Sequence, residues 1–208
     1  MTITFPLPLP AFPENSTVQI APLNTVAVLD APHSLKQQVQ RFGGQLWSAE
    51  IELPDMPRAV AAPWTAFLLA MGGRYGTVLV GDPAAPAPLG AATGTPLVDG
   101  ASQSGGTLAT KGWSASVTGI LKAGDYIQLG SGTATRLHQV IEDADSDSGG
   151  LANLTLWPDL RESPADGAAI VSQSPKGTFR LAANDSGWTT DARGLYGVTL
   201  SLIEAVDG

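Results

Sequence analysis

Between Phe42 and Pro83 the chain reads FGGQLWSAEIELPDMPRAVAAPWTAFLLAMGGRYGTVLVGDP, and this stretch limits the fold more than any other. Trp47, Ala49, Ile51 and Leu53 alternate with Leu46, Ser48, Glu50 and Glu52. That period of two lets a half-buried strand keep one face in a core and the other in water. Pro54 and Pro57 end the alternation. Val60, Trp64, Phe67, Leu68 and Met71 then recur at helical spacing, one apolar stripe of an amphipathic helix near residues 60–71. Pro63 lacks a backbone donor and disfavours helix in the residue before it, which predicts a regular start near Pro63 rather than Arg58. Gly72 and Gly73 supply the left-handed stop, and Tyr75–Val80 is β-prone up to Asp82-Pro83. A helix with one apolar stripe between two strands must lie on a sheet.

The rest of the chain is strands and turns. Residues 1–16 hold Pro6, Pro8, Pro10 and Pro13, which make an extended arm with few hydrogen bonds of its own. Phe5, Leu7, Leu9 and Phe12 are costly to leave in water, so two readings stand. The arm is a disordered leader, or it packs on its own domain or a neighbouring subunit. Val18–Ile20 and Thr25–Leu29 are short strand candidates, and Ser34–Phe42 reads as strand. Composition shifts at Pro83 into a Pro, Ala and Gly stretch that reaches Gly106, with a possible strand at Leu97-Val98. Short strands follow at Leu108–Val117, Tyr126–Leu129, Thr135–Glu142, Ala152–Trp157 and Ala168–Ser172. Leu129, Leu137, Val140, Leu154, Leu156 and Ile170 form their expected core. In the closing strand, Tyr196, Val198, Leu200 and Leu202 make the better apolar face, and that strand needs a sheet to join. The expected fold class is therefore mainly β. Residues 1–96 and 174–208 form a β-sandwich with the packed helix, and residues 97–173 form a small inserted antiparallel β-barrel of OB-like type.

Charge and composition remove several function classes. The net charge is −8 with only 11 Lys and Arg, whereas affinity for nucleic acid comes mostly from basic residues neutralising phosphates. No sequence-specific nucleic-acid binding is expected. No apolar run approaches the ~20 residues of a membrane span, and the N-terminus lacks the basic start and cleavage site of a signal peptide. The expectation is a protein made in a cytosol. With no cysteine there are neither disulfides nor thiolate metal sites. Charged residues make up 14% of the chain, beside 24 glycines and 16 prolines. A typical soluble domain has roughly 25% charged residues, so part of this surface is expected to meet a partner.

Candidate chemistry is sparse, and no catalytic, cofactor-binding or metal-ligating residue is assigned. Asp143, Asp145 and Asp147 stand at alternate positions, as in the start of a calcium loop. Gly149, however, is one position late and Leu154 occupies the place of the closing Glu, which favours a solvated hairpin turn. His33 and His138 are the only histidines; His138 is read as exposed or hydrogen-bonded on a strand, facing away from Leu137. No pair of carboxylates is singled out for glycoside hydrolysis, and no phosphate-binding glycine loop is present. Trp47 and Trp64 belong to the core. Trp113, Trp157 and Trp188 are open to three roles: core, subunit contact or, in the inserted module, stacking on sugar.

The succession FGGQLWSAEIELP, PWTAFLLAMGGRYGTVLVGDP, GDYIQLG, RLHQVIEDADSDSGG, ANLTLWPDLRESPADGAAI, GTFRLA and VTLSLIEA resembles the distal tail proteins of long flexible-tailed (siphovirus-type) bacteriophages. The resemblance covers nearly the whole chain after the proline-rich arm and lies in pattern, without a catalytic motif. It implies a tail-tube-like β-sandwich with a packed helix and a second β domain. It further implies a structural virion protein of the tail tip, forming a six-membered ring that joins the tail tube protein to the hub or baseplate, with no enzymatic activity and no cofactor. An acidic lumen in such a ring would repel the phosphates of passing DNA. The alternatives are a tail tube or hub subunit and, outside that class, a carbohydrate-binding module of the tail tip using Trp113 or Trp157.

Overall fold

The computed structural model describes residues 3–206 and is mainly β, with one α-helix and two sheets. The first sheet is built from β1 (Thr17–Asp30), β2 (Gln37–Pro57), β3 (Val78–Val80), β9 (Gly177–Leu181), β10 (Trp188–Thr190) and β11 (Leu195–Glu204). Its order is β1-β2-β11-β9-β3, and β10 pairs with β11. The second sheet takes β4 (Gly94–Val98), β5 (Gly105–Trp113), β6 (Tyr126–Leu129), β7 (Arg136–Val140) and β8 (Ala152–Leu160), in the order β4-β5-β8-β7-β6. Every named pairing is antiparallel.

Helix α1 spans Arg58–Met71 and buries Ala61, Trp64, Phe67, Leu68 and Met71. These lie in one core with Trp47, Ala49, Ile51 and Leu53 of β2 and Val198, Leu200 and Leu202 of β11. The helix starts at Arg58, a turn and a half before the start that Pro63 predicts, and Pro63 lies inside it. A proline there costs one hydrogen bond and some strain. Complete burial of Ala61 and near-complete burial of Trp64 against the sheet outweigh that cost. Gly72 ends the helix in the left-handed region at φ 60°, and its N–H donates to the carbonyl of Leu69.

β2 also runs past Pro54, to Pro57. Leu53 pairs with Val198 and Met56 with Tyr196, so Pro54 and Asp55 together oppose Gly197 alone. That bulge accommodates a residue with no donor for the ladder. The expected strands at Val18–Ile20 and Thr25–Leu29 belong to a single strand, β1, with an irregularity between Asn24 and Val26. There Thr25 stands opposite Phe42, Gly43 and Gly44, and a Cβ on Gly44 would collide with the Thr25 hydroxyl. The glycine pair thus serves a break inside the paired strands.

The proline-rich arm packs on its own chain. Leu7 bridges Val78 in parallel, its N–H donating to the carbonyl of Thr77 and its carbonyl accepting from Leu79. Phe5 sets its ring edge against Tyr75, and Phe12 lies 5.6 Å from Trp64. The outer edge of β3 is thereby covered, whereas β1 remains an edge of the first sheet.

All five strands of the second sheet fall between β3 and β9 in the chain. The sheet curls until both of its outer strands reach the same segment, residues 168–171. Leu97 of β4 bridges Ala169, and Gln128 of β6 exchanges hydrogen bonds with Val171. Ala168–Ser172, expected as a strand, is present as this pair of bridges. Leu108, Ile120, Leu121, Ile127, Val140, Leu154 and Leu156 fill the interior. Leu137 is the exception among the expected residues of this core, because it packs in the core of the first sheet. Asp125 clamps the preceding linker: its carboxylate accepts from the N–H groups of Leu89 (2.6 Å), Gly90 (3.0 Å) and Lys122 (2.7 Å).

Candidate functional site: the projecting hairpin and the cleft at its base

β1 and β2 are paired over nearly their full lengths, but only the half nearest the helix enters a core. Beyond the break at Thr25 the two strands form a ribbon that turns at residues 31–36, where Ala31 N–H donates to the carbonyl of Lys36. Residues directly opposite in an antiparallel pair share a face. Val26 opposite Arg41 and Val28 opposite Val39 therefore make one face, and Ala27 opposite Gln40 and Leu29 opposite Gln38 the other. Val28 and Val39 are 50% and 62% exposed, and Leu29, Leu35 and Phe42 are exposed as well.

The base of the ribbon is fixed to the second sheet. Trp47 meets Trp157 edge to face, with centroids 4.3 Å apart, and its indole N–H donates to the carbonyl of Leu137 at 2.9 Å. Gln45, buried, accepts the Asp159 N–H at 2.7 Å, and the Trp157 indole donates to Asn24 at 3.3 Å. Arg41 lies 3.8 Å from Asp159.

Beside this joint a cleft of about 440 Å³ opens between the ends of β6, β7, β8 and β11. Glu204 and His138 line it, both almost wholly buried, along with Arg136 and Arg161. The Glu204 carboxylate accepts the Trp47 backbone N–H at 3.1 Å and lies 3.6 Å from Arg161. Burial pushes its pKa up, against the opposing pull of the Trp47 N–H and the two arginines. His138 has its pKa pushed down to about 4, chiefly by burial, so it is neutral at pH 7. Its Nδ1 lies 2.8 Å from the Pro158 carbonyl, which can only accept, and Nδ1 therefore carries the proton. His138 is thus a hydrogen-bonded strand histidine, as one expectation had it, but not an exposed one. Leu137 next to it is buried too, because both faces of β7 are covered.

The acidic loop does not converge on one point. Asp143 accepts from Lys122 (2.8 Å) and from Ala123 N–H (2.9 Å), Asp145 from Gly119 N–H (2.6 Å), and Asp147 from Gly149 and Leu151 N–H (2.8 and 2.9 Å). Each carboxylate fixes a different stretch of backbone, and no group of three or more acidic or histidine ligands is gathered for a metal among the described residues. His33 sits exposed in the ribbon turn. Trp113 is buried, with its indole N–H donating to Thr110 at 2.7 Å, and so cannot serve as a sugar platform. Trp157 is turned against Trp47, and Trp188 remains 40% exposed on β10.

Sequence reasoning passed over Glu204, although a signal was there. It continues the buried phase of Val198, Leu200 and Leu202, and an acid at such a position marks a buried carboxylate that needs partners. No helix among the described residues is long and apolar enough to cross a membrane. No protein-family model matches the chain, and no curated protein matches its sequence.

Proposed function

We propose that this chain is a structural subunit of a phage tail tip that self-associates through its ribbon into a ring and joins the tail tube protein on one side to the hub on the other. One observation carries the reading: a two-stranded ribbon, anchored at its base by Trp47 and Gln45, leaves Val26, Val28, Val39 and Leu29 between 49% and 67% exposed among the described residues. An isolated two-stranded hairpin is at best marginally stable in water, and exposed apolar strands invite pairing with another chain. A second copy, identical in sequence, supplies a matching apolar surface and closes a symmetric assembly. The ring of six, its place in the virion and its synthesis in a bacterial host follow from the resemblance to distal tail proteins.

Light scattering of the purified protein over a range of concentrations tests this. The expected mass is that of six chains, and a variant with residues 27–40 replaced by a short turn has the mass of one. A chain that stays monomeric at every concentration, with the tail tube protein added as well, rules the reading out.

A further inference from the structure

Two guanidinium groups, of Arg136 and Arg161, and three carboxylates, of Glu204, Asp159 and Glu162, line the cleft at the ribbon base. Arg136 and Arg161 both bear on the ionisation of Glu204, and both also act on His138, so the four groups share one electrostatic site. Arg161 is the nearer partner of Glu204, at 3.6 Å. Arg136 has no ion pair among the described residues, and one of its nitrogens donates to the carbonyls of Thr133 (3.1 Å) and Thr135 (3.3 Å). A guanidinium has five N–H donors in a fixed plane, so most of those of Arg136 remain available. Glu162, exposed at the mouth of the cleft, is the third carboxylate of the lining. Asp159, also on the rim, faces Arg41. Leu129, Leu160 and Pro164 supply apolar wall.

We propose that this cleft binds a carboxylate on a short apolar stem, with Arg136 and Arg161 gripping the carboxylate and Leu129, Leu160 and Pro164 packing on the stem. Planar carboxylates match the guanidinium fork, and a pair of charge-assisted hydrogen bonds in a part-buried site is stronger and more directional than the same pair in water. A monoanion matches the one guanidinium of the lining, that of Arg136, without an ion pair among the described residues. A phosphate dianion would bring two charges to that one guanidinium and face three carboxylates of the lining, which selects against phosphoryl ligands. Neutral His138 adds an acceptor at Nε2 for any N–H or O–H beside the carboxylate. Two sources carry this chemistry: a free short-chain acid, or a glutamate side chain of a partner protein.

Ligand-detected saturation-transfer NMR separates them, and it works whether the protein is a single chain or a ring, so its outcome is independent of the function proposed above. The probes are butyrate and the capped peptide acetyl-Gly-Glu-Gly-amide, with butyramide, the Gln-containing peptide and inorganic phosphate as controls. Saturable transfer to butyrate assigns the site to free acids, and transfer to the Glu peptide alone assigns it to a protein side chain. In either case the Arg136→Gln protein, which breaks no ion pair, binds at least tenfold more weakly with its melting temperature unchanged. Arg161→Gln gives a second, larger loss. Absence of transfer to both carboxylates overturns the proposal, as do equal binding of the amide controls, displacement by phosphate at lower concentration, and unaltered affinity in Arg136→Gln.

Discussion

The two halves of the β1–β2 pair share strands and hydrogen-bonding pattern, yet have opposite environments. From Gln45 to Leu53 every second residue of β2 is buried, and Trp47, Ala49, Ile51 and Leu53 are at most 8% exposed. From Gln37 to Gly44 nothing is buried, although Val39 and Phe42 are as apolar as the residues below them. The difference is a third layer: the lower half is covered by α1 and continues into β11, whereas the upper half has only its own partner strand. Hydrogen bonding holds a ribbon together, but covering its faces takes another element. The break at Thr25 and Gly44 marks where one regime gives way to the other.

Substitutions in the lower half should act on stability, and Trp47→Ala should act most. The ring packs on Trp157 and Tyr126, its indole holds Leu137, and its backbone N–H serves Glu204. Removing a buried aromatic typically costs about 3–5 kcal/mol. Thermal unfolding should show the melting temperature falling by roughly 10 °C or more, given about 2–4 °C per kcal/mol at this size. A drop of only a degree or two would mean that the two sheets are not joined through this residue.

Acid should attack the same joint. His138 has a pKa of about 4 in the folded chain against 6.5 when unfolded, so between those values the unfolded chain binds more protons. Stability from this group is complete above pH 6.5 and is lost as pH falls toward 4, by about 2 kcal/mol between pH 7 and pH 5. Glu204 works in the opposite sense: its raised pKa makes the folded chain the tighter proton binder, so protonation relieves a cost that is present at neutral pH. Denaturant unfolding at pH 7 and pH 5 should show wild type losing stability and His138→Leu losing much less. Equal losses would place the acid sensitivity elsewhere.

What the sequence disclosed follows the same division. The period-two run from Trp47 to Leu53, the helical stripe ending at Met71 and the phase of Val198 to Leu202 are legible because each is a local pattern imposed by a covered face. The helix start was not legible, since Pro63 argues locally for a later one and only tertiary burial of Ala61 and Trp64 overrides it. The ribbon gave strand signals without disclosing that it projects, because exposure is a property of what is missing above it. Leu137 and His138 were assigned to opposite faces of a one-sided strand, but β7 is covered on both. The cleft unites Arg136, Arg161 and Glu204 from three strand ends, and no short-range spacing connects them. Only the parity of Glu204 within β11 hinted at it.

At the border between the two halves the expected effect is intermediate. Gln45 is buried and accepts the Asp159 N–H, so Gln45→Ala leaves that donor without its partner, at a cost of about 1–3 kcal/mol. The loss should be accompanied by faster amide exchange above the break, at Val26 to Leu29 and Gln38 to Gln40, because the ribbon then hinges where it was braced. Unchanged exchange there would show that the Asn24 and Arg41 contacts suffice to hold it.

The smallest stability effect belongs to the ribbon tip, and there the comparison has its clearest test. Val28 and Val39 face each other across the strands, both half exposed or more, so changing both to Thr keeps β-branched shape and ladder while removing apolar surface. With no core to disturb, the folded monomer should change by about 0.5 kcal/mol or less. If the valine face is what a second copy covers, the same two substitutions should still dissociate the assembly, because each subunit contributes them at every contact and the loss repeats around the ring. Unfolding and light scattering on one sample should therefore part company, the melting curve holding while the mass falls to that of one chain. Should the mass hold as well, the apolar ribbon would have to be covered by a different protein, and the ring would have to close through other surfaces.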